Sequence, residues 1–194
     1  MHSIPLSLTT LLLAATASAQ ATWTVLSPAT VPAARGGLNV CASDGSVMYV
    51  FGGNIVGGVR MDELWAFDGA NWADLTQATG NPPARNFGAG CWDTARGQLV
   101  IFGGTTANAT GNELGDTWVW DSTNGWAQKA PTISPSARRW CAMAFDPVSQ
   151  SCILYGGRDT ASVWQSDTWR WDGSDWTLLS PATAPGLLGR QRMA

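Results

Sequence analysis

The chain has 194 residues and a formal net charge of -3, and only 13% of its residues are charged, against about 25% in a typical soluble domain. A single Lys, Lys129, stands among ten Arg, so the mildly acidic balance argues against nucleic acid and anionic membranes as electrostatic partners. The single His is His2, which leaves the rest of the chain without the base of Ser-His-Asp or Cys-His chemistry and without imidazole ligands for zinc or copper.

Residues 6–13 are apolar enough for the core of a secretory signal, and Ala17-Ser18-Ala19 supplies small residues at a cleavage site. Residues 1–19 are therefore expected to be a signal peptide, although its start carries His2 and no Lys or Arg. No later stretch approaches the roughly 18 apolar residues that span a bilayer. The expectation is a secreted or periplasmic protein with no membrane insertion after leader removal.

Next comes Trp23-Thr24-Val25-Leu26-Ser27-Pro28-Ala29-Thr30, nearly repeated as Trp176-Thr177-Leu178-Leu179-Ser180-Pro181-Ala182-Thr183. The first copy reads as an orphan outer strand. Alternation and β-branched or aromatic content then predict strands at 38–42, 47–51, 64–67 and 72–75, at 87–92, 98–102, 117–120 and 126–129, and at 140–145, 151–155, 168–171 and 176–179. Turn-forming residues separate them, Ser43-Asp44-Gly45-Ser46 and Asp68-Gly69-Ala70-Asn71 being the first pair. Each copy also carries an apolar run into Gly-Gly: Val50-Phe51-Gly52-Gly53, Ile101-Phe102-Gly103-Gly104 and Leu154-Tyr155-Gly156-Gly157. An acid, Trp, an aromatic and Asp follow, as in Asp116-Thr117-Trp118-Val119-Trp120-Asp121, and Trp72, Trp126 or Trp176 closes the unit. The first glycines of the pairs, Gly52, Gly103 and Gly156, are 51 and 53 residues apart. A period of that size signals a solenoid or propeller.

This pattern resembles the kelch repeat, and the resemblance covers residues 23 to about 180. It implies an all-β, kelch-type β-propeller of the galactose oxidase central-domain-like superfamily, each repeat forming one four-stranded antiparallel blade. Three complete blades are expected, at about 35–76, 85–130 and 138–180, with the orphan outer strand before them and a truncated fourth repeat, 185–194, after them. Propellers usually have four to eight blades. The expectation is thus a fragment of a longer polypeptide or, alternatively, a ring completed by self-association.

Residues that recur in every copy are better explained by architecture than by a unique active site. Arg35, Arg85 and Arg138 begin the first strands at the end where Glu63, Asp116 and Asp167 begin the third, roughly 9.5 Å away across two strand spacings, so ion pairs or water bridges are expected. Asp68, Asp121 and Asp172 read as turn formers; the run Asp121-Ser122-Thr123-Asn124-Gly125 lacks the spacing and distal Glu of a calcium loop. Copper enzymes of the resembled superfamily use Tyr and His ligands. Here Tyr49 and Tyr155 fall on strand ends that carry core aromatics, so neither metal nor other cofactor is expected. The recurring Trp columns read as packing between blades, whereas Trp164 has no aromatic counterpart. Cys41 and Cys91 occupy a position that wants a small residue, and the register of the hairpin holding Cys141 and Cys152 argues against a bridge there; the disulfide state stays open. Asn108-Ala109-Thr110 is a glycosylation sequon in an expected surface loop.

The connections between second and third strands, 54–62, 105–115 and 158–166, differ between copies while the strands do not. Binding usually resides in such loops, which makes Arg60, Asn112, Arg158 and Trp164 the candidate contact residues. Kelch propellers mostly serve as interaction scaffolds, so the resemblance implies a non-enzymatic module with protein or glycan partners. The alternative is part of an extracellular oxidase or carbohydrate-active enzyme whose catalytic residues lie outside this chain.

Overall fold

The computed structural model describes residues 23–183 and 185–186. The expected signal peptide and most of the expected fourth repeat lie outside these. Among the described residues there is no helix, and the strands form three antiparallel sheets. Blade 1 holds β1 (Val40–Ser43), β2 (Met48–Phe51), β3 (Leu64–Phe67) and β4 (Trp72–Asp74); blade 2 holds β5 (Ala89–Asp93), β6 (Gln98–Phe102), β7 (Thr117–Asp121) and β8 (Gly125–Lys129). Blade 3 begins with the short β9 (Arg138–Arg139) and continues as β10 (Ala142–Asp146), β11 (Ser151–Asp159), β12 (Trp164–Trp171) and β13 (Trp176–Leu179). Neighbours in sequence are neighbours in each sheet, and β9 pairs with the end of β11.

Burial follows the position of a strand in its blade. Leu99, Val100, Ile101 and Phe102 on β6 are fully buried because the strand has partners on both edges and a blade on each side, while Ala127 and Gln128 on the outer β8 are exposed. One apolar cluster joins Phe51, Leu64 and Ala66 of blade 1 to Leu99, Ile101, Trp120 and Trp126 of blade 2; another joins Val100 and Phe102 of blade 2 to Leu154, Trp171 and Trp176 of blade 3. The closing tryptophans are the joints. Trp126 packs on Phe51 of the preceding blade with ring centroids 4.9 Å apart, and Trp176 on Phe102 at 5.3 Å. The Trp176 indole also donates to Thr117 Oγ1 at 2.9 Å.

Backbone contact between blades runs through the glycine pairs. Gly53 N donates to Arg85 O and Gly104 N to Arg138 O, both at 2.9 Å. A Cβ on Gly103, whose φ is +66°, would stand 2.5 Å from Arg138 O. At the opposite end, Asp68, Asp121 and Asp172 each accept the N–H groups of the residues two and three positions on, as expected of turn formers.

Three expectations need correction. Residues 23–28 form no strand, and Trp23 and Val25 are exposed: an outer strand requires a third strand to pair with, and none lies beside it among the described residues. The first strands of all three blades begin two residues late, at Val40, Ala89 and Ala142, because Gly37, Phe87 and Trp140 take left-handed φ values of 59°, 60° and 58° that break the ladder. The span 158–166 is largely not a loop. β11 and β12 run on past Gly157 as a hairpin with Arg158 opposite Trp164, closed by Asp159, whose Oδ1 accepts the N–H groups of Ala161 and Val163.

Candidate binding site

The strand polarity brings the connections between second and third strands, and those leading into each first strand, to one face. Beneath that face each blade carries the same polar lock. Arg85, fully buried, donates from Nε to Pro83 O, from Nη1 to Gly103 O, and from both terminal nitrogens to Asp116 at 2.6 and 2.7 Å. Arg138 repeats this with Ser136 O, Gly156 O and Asp167, and Arg35 with Ala33 O, Gly52 O and Glu63. The indoles of Trp65, Trp118 and Trp169 donate to the same three carboxylates at 2.7 to 2.9 Å. These columns are the expected ion pairs, and they occupy the donors that an active-site arginine would need.

Burial pushes the Asp116 carboxyl up, but the hydrogen bonds and charge of Arg85, with the Trp118 indole, more than reverse this and hold it below the usual carboxylate range. Asp167 behaves alike under Arg138 and Trp169. The locks of blades 2 and 3 therefore stay ionised at neutral pH.

Above it, every blade extends as a miniature three-stranded ladder. The paired positions are Gly36, Asn54 and Arg60 in blade 1, Asn86, Thr105 and Glu113 in blade 2, and Arg139, Arg158 and Trp164 in blade 3. These are repeat-equivalent sites, one residue after the lock arginine, one after Gly-Gly and three before the lock acid. Their chemistry changes completely from blade to blade. Side chains from the rim also bridge blades: Asn86 Nδ2 donates to Asn54 Oδ1 at 3.0 Å, Arg60 Nη2 to Asn108 Oδ1 at 2.5 Å, and Arg139 Nε stands 3.4 Å from Glu113 Oε1.

Next to the rim residues in sequence, the first strands and the residues before them line a groove of about 470 Å³, whose mouth is edged by Phe87 and Trp140 and whose wall includes Asn39, Ala89 and Met143. Phe87 N donates to Gly37 O and Trp140 N to Phe87 O, a backbone chain that steps from blade to blade around this mouth. Gly37, Phe87 and Trp140 are equivalent, all with φ near +60°. A Cβ on Gly37 would lie 2.5 Å from the Phe87 ring, so the glycine makes room for that ring. Trp140 packs 5.8 Å from Phe87 and stacks on Trp164 at 5.7 Å and 23°, with the Arg139 guanidinium 4.3 Å and that of Arg158 5.9 Å from its centroid. Asn39 beside them is 2% exposed, and its amide is packed against Gly88 and Gly104 with neither amide atom hydrogen-bonded to protein.

Of the four expected contact residues, Arg158 and Trp164 are brought together, facing one another in the ladder, both half-buried. Arg60 takes the position in blade 1 equivalent to Trp164 in blade 3 and makes no ion pair among the described residues. Asn112 is apart from these: its amide donates to Ala109 O and its carbonyl accepts from Thr105, so it orders its own loop, and its neighbour Glu113 holds the rim position. Sequence reasoning missed Arg139, Phe87, Trp140 and Asn39. Alignment on the lock arginine carried the signal for two of them, since it sets Phe87 and Trp140 level with a glycine.

Residues 8–192 match the KLHDC2/KLHL20/DRC7 kelch-repeats domain. The chain belongs to this kelch-repeat family. Dynein regulatory complex subunit 7 of Chlamydomonas reinhardtii is 31% identical over 123 residues, 58% of this chain but 10% of that protein. The solved structure described as "Structure of YjhT" superposes with a TM-score of 0.60 over 76% of this kelch chain and 46% of that one; at 15% identity the likeness is one of fold. The chain thus spans a tenth of the curated relative and under half of the solved one.

Proposed function

We propose that this kelch chain is an exported, non-catalytic scaffold that binds a protein partner on the rim of its loop-bearing face. The observation that carries the reading is the convergence of Arg139, Arg158 and Trp164 on Trp140 at the mouth of the groove. Non-glycine residues in the left-handed region cost of order 1–3 kcal/mol each and persist where the surroundings fix them, often at ligand clamps; Phe87 and Trp140 are two such residues side by side. Aromatic and arginine side chains are also the types enriched in the energetic centres of protein interfaces. The similarity to a protein named as a subunit of a regulatory complex accords with a protein partner. Export rests on the apolar run 6–13 followed by Ala17-Ser18-Ala19.

The test is selection from a random peptide library on phage, beside a glycan array, repeated with Arg158→Ala, Trp164→Ala and, on the opposite face, Val148→Asp. Selected peptides are expected to lose affinity at least about 10-fold with either rim variant and to keep it with Val148→Asp. Peptides indifferent to both rim variants but lost with Val148→Asp would overturn the assignment. Glycan binding alone, sensitive to Trp164→Ala, would replace the protein partner by a sugar.

A further inference from the structure

All four cysteines carry free thiols; Cys41 is exposed, while Cys91, Cys141 and Cys152 are buried. The within-hairpin pair is ruled out by register. Ala142 lies opposite Tyr155 and Phe145 opposite Cys152, so Cys141 sits four rungs from Cys152, about 14 Å along the strands, where a disulfide needs Cα atoms within about 7 Å. A different pair meets instead. β5 of blade 2 lies against β11 of blade 3. Cys91 on β5 and Cys152 on β11 share one buried apolar cluster with Val100, Phe102 and Leu154, across the joint between the two blades.

We propose that Cys91 and Cys152 are a disulfide-forming pair that staples blade 2 to blade 3. The oxidant is a small-molecule disulfide such as oxidised glutathione. One protein thiolate attacks a glutathione sulfur and releases a glutathione thiolate; the second attacks the mixed disulfide at the protein sulfur and releases the other. Two electrons pass from the cysteine sulfurs to glutathione, and the two thiol protons end on the released thiolates. In the closed fold the neighbouring Cys152 thiol and burial hold the Cys91 thiol well above its usual range, which suppresses the attacking thiolate. The bond therefore forms while the two blades are still open to solvent. This inference stands on the packing of the two cysteines across the joint between blades and is independent of what binds the rim.

The full chain is unfolded under reduction, refolded in a reduced and oxidised glutathione buffer, alkylated, digested with trypsin and mapped without reduction. The expected product links peptide 86–96, which holds Cys91, to peptide 140–158, which holds Cys152. The link is expected to survive Cys141→Ser and to vanish in Cys152→Ala. Oxidised protein is expected to melt about 10 °C above reduced protein, since closing a loop of this length constrains the unfolded chain. Loss of the link in Cys141→Ser, a link through Cys41, or four free thiols after refolding would each overturn the proposal. Cys141→Ser decides the matter even if Cys152→Ala fails to fold.

Discussion

Arg85 and Asp116 show how a repeated ion pair becomes structure rather than chemistry. The arginine is fully buried and the carboxylate half-buried, every donor on the guanidinium that points inward has a partner, and Trp118 adds a third hydrogen bond to the carboxylate. Removing one partner of such a pair leaves an uncompensated buried charge, so Asp116→Asn is expected to cost about 3 kcal/mol. The folded pKa of Asp116 lies below its unfolded value, so the stabilisation is complete above about pH 4 and is lost as the pH falls through the lowered folded value. Urea unfolding followed by tryptophan fluorescence should show wild-type stability falling below about pH 4, and the variant starting lower with a shallower fall. Equal stabilities at neutral pH would contradict this role. The pairing itself was legible in the sequence, because two strand spacings and a common strand end place Arg85 and Asp116 within reach. Its bidentate form and the indole donor were not, since side-chain direction depends on the packing beneath.

At the scale of elements, the glycine pair is the hinge between one blade and the next. Gly103 combines φ of +66° with an approach to Arg138 O that leaves no space for a Cβ, so Gly103→Ala is expected to lose at least about 2 kcal/mol, from the left-handed backbone and the contact together. Gly36 has no such φ and open space around it, so Gly36→Ala is expected to change stability by less than about 0.5 kcal/mol. Chemical denaturation of the two variants checks the contrast, and similar losses in both would refute it. Strand periodicity and Asx turns made the blades readable to within about two residues. The misreadings fall where backbone departs from the ladder: Phe87 and Trp140 were read as strand although they are left-handed, and 158–166 was read as loop although Asp159 closes it as a hairpin. A bulky aromatic on its own gives no hint of positive φ; the hint lay in Gly37, the equivalent residue of blade 1.

For the molecule as a whole, three blades use one frame and differ where nine ladder residues crown the loop-bearing face. The division of labour follows from position: side chains at the lock must satisfy one another within their own blade, whereas the ladder residues beyond them, of which Asn86, Thr105, Glu113 and Arg139 are buried and Asn54, Arg60, Arg158 and Trp164 half-buried, carry different chemistry in each blade. Trp164 stood out in the sequence for lacking an aromatic counterpart and Arg158 for lying in a variable connection, but the cluster they join did not, because Arg139 and Trp140 come from the segment before a different strand. The most direct measurement is hydrogen exchange of the chain with and without a peptide selected as above. Slowed exchange is predicted in 138–141 and 156–165, with the opposite-face turns 43–47, 93–97 and 146–150 unchanged. Protection confined to those turns, with the rim unaffected, would contradict the account.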